Sequence, residues 1–212
     1  MSVRYLLLSL GLFASACSIS TVSEPAIGPA DEDDSISLSV SLYIVDEAAG
    51  TPNAQLSSAR NVADLEAVAE RMQRIWSAAA IDLSIGTITR IKVAPGIIAD
   101  LATGDTSSFL DAAVAGDIPI PGPSSINGFY VRRIGSANGL AHLGARIFFV
   151  ADDPSVHDER VSSHEIGHIL GLPHTLLDQE RLMFSGTNGM ELSDREIDVA
   201  RFGATRILDG SR

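Results

Sequence analysis

The segment Ser162-Ser163-His164-Glu165-Ile166-Gly167-His168-Ile169-Leu170-Gly171-Leu172-Pro173-His174 restricts what this chain can fold into more than any other stretch. His164 and His168 stand four apart. On a helix both imidazoles fall on one face, about one turn from each other, within reach of one metal ion. The spacing therefore predicts a helix here, with Ser162 or Ser163 capping its start. Glu165 follows the first histidine but is rotated around the helix, so it can sit beside a metal without entering its coordination sphere. That is where a carboxylate must be to take a proton from zinc-bound water. Gly171 can adopt positive φ and end the helix sharply, and Pro173 keeps the chain from re-entering one. The turn returns His174 as third ligand. Three imidazoles leave the fourth position for water, the catalytic rather than the structural arrangement for zinc.

The rest of the chain must supply a scaffold for that segment. Its 212 residues suit one domain with a real core. Hydrophobic residues at 45% and charged residues at 20% read as globular, and with aromatics at 5% the core should be mostly Ala, Ile, Leu and Val. A net charge of -12 argues against nucleic acid, which needs clustered Lys and Arg. The acidic balance helps solubility and mildly favours basic substrates.

From Ser35, apolar Ile36, Leu38, Val40, Leu42 and Ile44 alternate with mostly serine, which predicts a half-buried strand. Residues 61–80 carry Val62, Leu65, Val68, Ala69, Met72, Ile75 and Trp76 near helical spacing. Residues 82–93 read as a second strand. Residues 97–101 and 108–115 read as short helices between glycine and proline breaks. Residues 126–134 and 145–150 read as strands, with a small, flexible stretch over 135–144. There is no internal repeat and no second domain.

Residues 1–17 combine Arg4, an apolar run from Tyr5 to Phe13 and small residues 14–16, the layout of a secretory signal too short to span a bilayer as a mature helix. Cys17, the only cysteine, follows directly. The segment resembles a bacterial lipoprotein signal, which implies lipidation of Cys17 and, with Ser18 next, the outer membrane. The expected location is the bacterial cell envelope, exported and anchored to the membrane through lipid only; ordinary secretion is the alternative. Residues 18–35 are rich in Ser, Pro, Ala and acids and read as a flexible tether. The remaining 36–212 read as one catalytic domain.

The extended histidine segment resembles the zinc signature of the metzincin superfamily of metallopeptidases. Arg181-Leu182-Met183-Phe184-Ser185-Gly186 is similar to that family's methionine turn, with Met183 as a hydrophobic floor rather than a ligand. The capping box Ser193-Asp194-Arg195-Glu196 starts a C-terminal helix with Ile197, Ala200 and Ile207 on its apolar side. Gly139-Leu140-Ala141-His142 resembles the substrate-aligning edge strand of the matrixin branch, where extended substrate pairs by strand addition. In matrixins a histidine placed like His142 helps bind a second zinc, but companion ligands are not recognisable here. Ser185 stands where some branches carry a tyrosine ligand. The short gap from His174 to Met183 implies a small wall for the substrate side-chain pocket. His157 reads as a surface loop residue. Asp152-Asp153 leaves two readings, a calcium site and the preferred solvated turn.

The resemblance implies an α+β, metzincin-like fold: a twisted, mostly parallel sheet with an antiparallel edge strand, a zinc-binding active-site helix and a C-terminal helix. It implies a monomeric zinc endopeptidase acting on protein or peptide substrates. Its metal would be one catalytic Zn2+ on His164, His168 and His174, with Glu165 as general base. Two other classes stay open. One is a non-catalytic, zinc-containing surface lipoprotein that binds a partner. The other is a zinc hydrolase for a non-peptide bond.

Overall fold

The computed structural model describes residues 34–48, 55–118, 120–122 and 124–210. Cys17, the signal segment and nearly all of the tether lie outside them.

One sheet of five strands organises these residues, in the order β2-β1-β3-β5-β4. The strands are β1 (Ile36–Glu47), β2 (Ile81–Val93), β3 (Ser125–Val131), β4 (Gly139–His142) and β5 (Ile147–Ala151). β1 runs parallel to β2 and β3, and β3 parallel to β5. β4 alone is antiparallel, pairing Gly139 with Val150 and His142 with Ile147 at the sheet's edge. Among the described residues five α-helices complete the fold, with a short 3-10 turn at Leu143–Ala145: α1 (Val62–Ser77), α2 (Pro95–Thr103), α3 (Ser107–Ala115), α4 (Asp158–Ile169) and α5 (Asp194–Leu208). The fold is thus mixed α and β, mostly parallel with an antiparallel edge, as expected. The stretch 135–144, read as small and flexible, holds the edge strand.

The strand over 36–44 differs from the half-buried expectation. Every residue from Val40 to Val45 is buried. Helices cover both faces of the sheet, as crossovers between parallel strands require. On one face Leu38, Val40, Leu42 and Ile44 join the apolar sides of α1, α4 and α5. On the other, Tyr43 and Val45 join α2 and α3. That second core adds an aromatic cluster to its aliphatic residues. Tyr43 stacks on Phe129 with centroids 4.7 Å apart, and Phe109 meets Phe129 and Phe149 edge-on at 4.8 and 5.0 Å. Edge-to-face pairs there add to area burial.

Helix α1 follows from its sequence. Asn61 caps it: its side chain accepts from the Asp64 N–H, and Asp64 reaches back to the Asn61 N–H, both at 3.0 Å. Leu65, Val68, Ala69, Met72, Ile75 and Trp76 are buried against the sheet. α5 has the same device at Ser193 and Glu196, and buries Ala200, Ala204 and Ile207.

Candidate metal centre

α4 begins a turn earlier than the sequence suggested. His157, exposed, precedes it and gives no side-chain cap; its N–H donates to Asn188 Oδ1 at 2.8 Å. Asp158 and Glu159 in the first turn complement the positive end of the helix. Ser162 and Ser163 are therefore interior residues, not caps. Ser162 Oγ donates to Asp158 O at 2.9 Å and accepts from Tyr130 Oη at 2.8 Å, one hydroxyl hydrogen each. The whole run from Arg160 to Gly167 is buried.

The helix ends as expected. Gly171 has φ +95°, a conformation only glycine takes cheaply. Its N–H donates to His168 O and the Leu172 N–H to Gly167 O, both at 2.9 Å. Those two bonds form a Schellman motif. The reversal brings His174 back over the helix. His174 Nε2 lies 3.1 Å from His164 Nε2 and 3.0 Å from His168 Nε2.

The other ring nitrogens of His164 and His168 fix what these two rings present to His174. His164 Nδ1 lies 2.8 Å from Leu182 O, and His168 Nδ1 lies 2.9 Å from Leu172 O. A carbonyl only accepts, so each Nδ1 carries its ring's proton and each Nε2 presents a lone pair. Burial strengthens this: it lowers the pKa of His164 to about 3 and also lowers that of His168. Two lone pairs therefore face His174 Nε2, and with His174 in the same tautomer a cation among the three nitrogens would take up all of them. Tetrahedral zinc with bonds of about 2.0–2.1 Å would set such nitrogens roughly 3.3–3.4 Å apart, close to what is seen. The donor set thus fits zinc. Among the described residues it is the one cluster of three or more His, Cys, Asp or Glu side chains placed to hold a metal.

Glu165 is 6% exposed at this centre. Burial pushes its pKa up to about 8, and nearby Arg160 pulls the other way. It lies under β4: a Cβ at Gly139 would sit 2.7 Å from Glu165 Oε1. Met183 is fully buried on the opposite side, and a Cβ at Gly167 would meet its sulfur at 2.6 Å. Met183 therefore packs directly on the helix backbone between the two helical histidines. Its backbone is tied in through Thr175 N–H donating to Met183 O at 3.0 Å.

A cleft of about 390 Å³ opens over these groups. Asn138 and β4 residues Gly139 to Ala141 form one wall; Ser185 and Gly186 belong to the other. Arg160 also lines it, and the sequence reading missed it. A lone arginine in an acidic helix start looks like a solvated charge. The available signal was its position, four before His164 and so on the ligand face.

Three other readings are settled by contacts. His142 bonds Thr106 Oγ1 through Nε2 at 2.7 Å and sits edge-on to Phe149, with no companion ligands among the described residues. Asp152 is not a solvated turn: it is 5% exposed. Its oxygens accept from Ser58 Oγ at 2.7 Å, the Ala59 N–H at 2.6 Å and Arg132 at 3.4 Å, with Arg60 alongside. Those donors take up the carboxylate and give a calcium reading no support. Asp153 is exposed and faces Arg132 at 3.4 Å.

No protein-family model matches the chain, and no curated protein matches it by sequence. Solved structures do match. An archaemetzincin from Methanopyrus kandleri superposes with TM-score 0.55 at 13% identity, over 84% of this chain and 99% of that one. Metalloproteinase-II from Bacteroides fragilis gives TM-score 0.50 at 14% identity, over 86% of this chain and 55% of that one. A chaperone–substrate complex gives TM-score 0.53 at 14% identity, over 84% of this chain and 35% of that one. At such identities the likeness is one of fold.

Proposed function

We propose that this protein is a zinc-dependent endopeptidase of the metzincin type, with zinc on His164, His168 and His174 and Glu165 as general base. One observation carries the reading. A buried carboxylate without a salt-bridge partner stands beside three converging imidazole nitrogens, under the edge strand of the sheet. A purely structural zinc site has no use for that carboxylate. The peptidase names of two matching structures point the same way.

Bound zinc would act as a Lewis acid that polarises a carbonyl and acidifies water. The chain's own groups do the rest. An extended peptide pairs with β4 and is held across the cleft by backbone bonds. Glu165 takes the proton of the attacking water and delivers it to the leaving amine. Its buried setting raises its proton affinity, so it keeps that proton until the amine needs it, while a bound cation favours its ionised form beforehand. Leu182 O and Leu172 O hold two rings in the tautomer that offers Nε2.

The test is cleavage of an unbiased peptide mixture by zinc-loaded protein beside Glu165→Ala. Cleavage lost in the variant and on chelation, and restored by zinc, is the expected result. Folded, zinc-loaded protein that cleaves nothing would leave the partner-binding reading in its place. The same proposal puts the domain in the cell envelope, on lipid at Cys17. Incorporation of a fatty-acid label that Cys17→Ser abolishes would support this.

A further inference from the structure

We infer that Arg160 makes the cleft selective for an acidic side chain at one substrate position beside the scissile bond. The inference rests on the proposed peptidase reading and deepens it.

Arg160 is 4% exposed yet lines the cleft. Its Nη2 donates to Leu182 O at 3.0 Å and to Phe184 O. Its Nε is buried without a hydrogen-bond partner. Among the described residues it has no carboxylate within ion-pair distance, whereas Arg60, Arg71, Arg90, Arg132, Arg181 and Arg201 each have one. Glu165 is the acid that acts on it, at longer range.

A buried charge is expensive unless it is paired. The two carbonyl bonds use one nitrogen of the guanidinium and leave most of its charge uncompensated. A ligand carboxylate entering the cleft would complete it, and arginine's planar fork suits a carboxylate better than any other side chain does. Position fits as well. Arg160 lies four residues, about 6 Å of helix rise, before His164 on the same face. A side chain next to the bond under attack spans that distance. The overall charge of -12 would bias the surface towards basic peptides. Arg160 sets the opposite preference locally, where contact rather than long-range steering decides.

The zinc-loaded full chain should be given a proteome-derived peptide library and its cleavage sites read by mass spectrometry. Asp or Glu should exceed Asn and Gln at one fixed position by about tenfold or more in kcat/KM. Arg160→Gln should abolish that ratio, and Arg160→Lys should keep part of it. Wild type without acid preference overturns the inference and leaves the peptidase reading intact, whether or not the variants fold. Equal losses on acidic and amide peptides in Arg160→Gln also overturn it, because they show only support for the turn carrying Met183. If nothing is cleaved, the peptidase reading fails separately. Binding of Ac-Ala-Ala-Xaa-Ala-Ala-NH2, with Xaa Glu or Gln, to zinc-loaded Glu165→Gln then decides. Tighter binding of the Glu peptide that disappears on adding Arg160→Gln supports the inference; equal binding overturns it.

Discussion

Helices α1 and α4 pack on the same face of the same sheet and are built on opposite principles. α1 buries Leu65, Val68, Met72, Ile75 and Trp76, keeps its charges outside and is closed by a reciprocal cap. α4 buries Arg160, Ser162, Ser163, His164 and Glu165, and its start has no side-chain cap. The first helix is what burial favours. The second carries groups that burial penalises, held there by packing and by bonds to Leu182, Phe184, Leu172, Tyr130 and Asp158. α1 stabilises the fold, and α4 draws on that stability to keep reactive groups dry.

Four substitutions or titrations would break or sharpen this contrast. The largest effect belongs to Glu165→Gln, which should lower peptide cleavage about 10²–10⁴-fold while zinc still binds by calorimetry. In α1 the largest expected effect is on folding. Trp76→Ala should cost about 3–5 kcal/mol in urea unfolding, with zinc affinity of the remaining folded protein unchanged. If Trp76→Ala abolished zinc binding in folded protein, the division of labour would be wrong.

The third prediction concerns metal-free protein and pH. His164 has a folded pKa lowered to about 3, below its ordinary value, so the unfolded chain binds more protons in between. Metal-free stability should fall on acidification below the ordinary histidine range and go on falling towards pH 3. Glu165 acts with the opposite sign. Its folded pKa is raised to about 8, so the stability it contributes is present in acid and is lost as pH rises through that value. The alkaline loss should vanish in Glu165→Gln, and urea midpoints across pH would show it. Smallest is the contrast of caps: Asn61→Ala should cost about 1 kcal/mol, whereas His157→Ala should cost within about 0.5 kcal/mol.

The sequence disclosed these two helices unequally, for physical reasons. The apolar side of α1 was readable, because its spacing encodes it directly, although the reading ran to 80 and the helix ends at Ser77. In α4 the histidine spacing and Gly171 were readable, since metal geometry and positive φ each demand particular residues. Its start was not, because Ser162 and Ser163 look like caps until Tyr130 and Asp158 are seen to occupy the Ser162 hydroxyl. Arg160 was missed and Asp152 misread for one shared reason. Composition treats a charge as solvated, and only tertiary contacts reveal a buried one. The serines of β1 misled similarly: Ser41 is 5% exposed, covered by helices that no local pattern in the strand announces. The aromatic cluster of the second core was hidden because Tyr43, Phe109, Phe129 and Phe149 lie far apart in the chain.

All three histidines come from one short stretch, His164 and His174 being ten residues apart. Closing so short a loop costs little entropy, whereas the parallel sheet must join distant segments before it rewards them. If zinc binds there, the unfolded chain would already hold it, though without the carbonyls that fix the rings. Zinc would then stabilise the native state by less than its affinity for the finished site suggests, because part of that affinity is shared with the unfolded chain. It could also arrive early: a chain emerging unfolded into a zinc-containing compartment could gather its ligands first and fold the sheet around them.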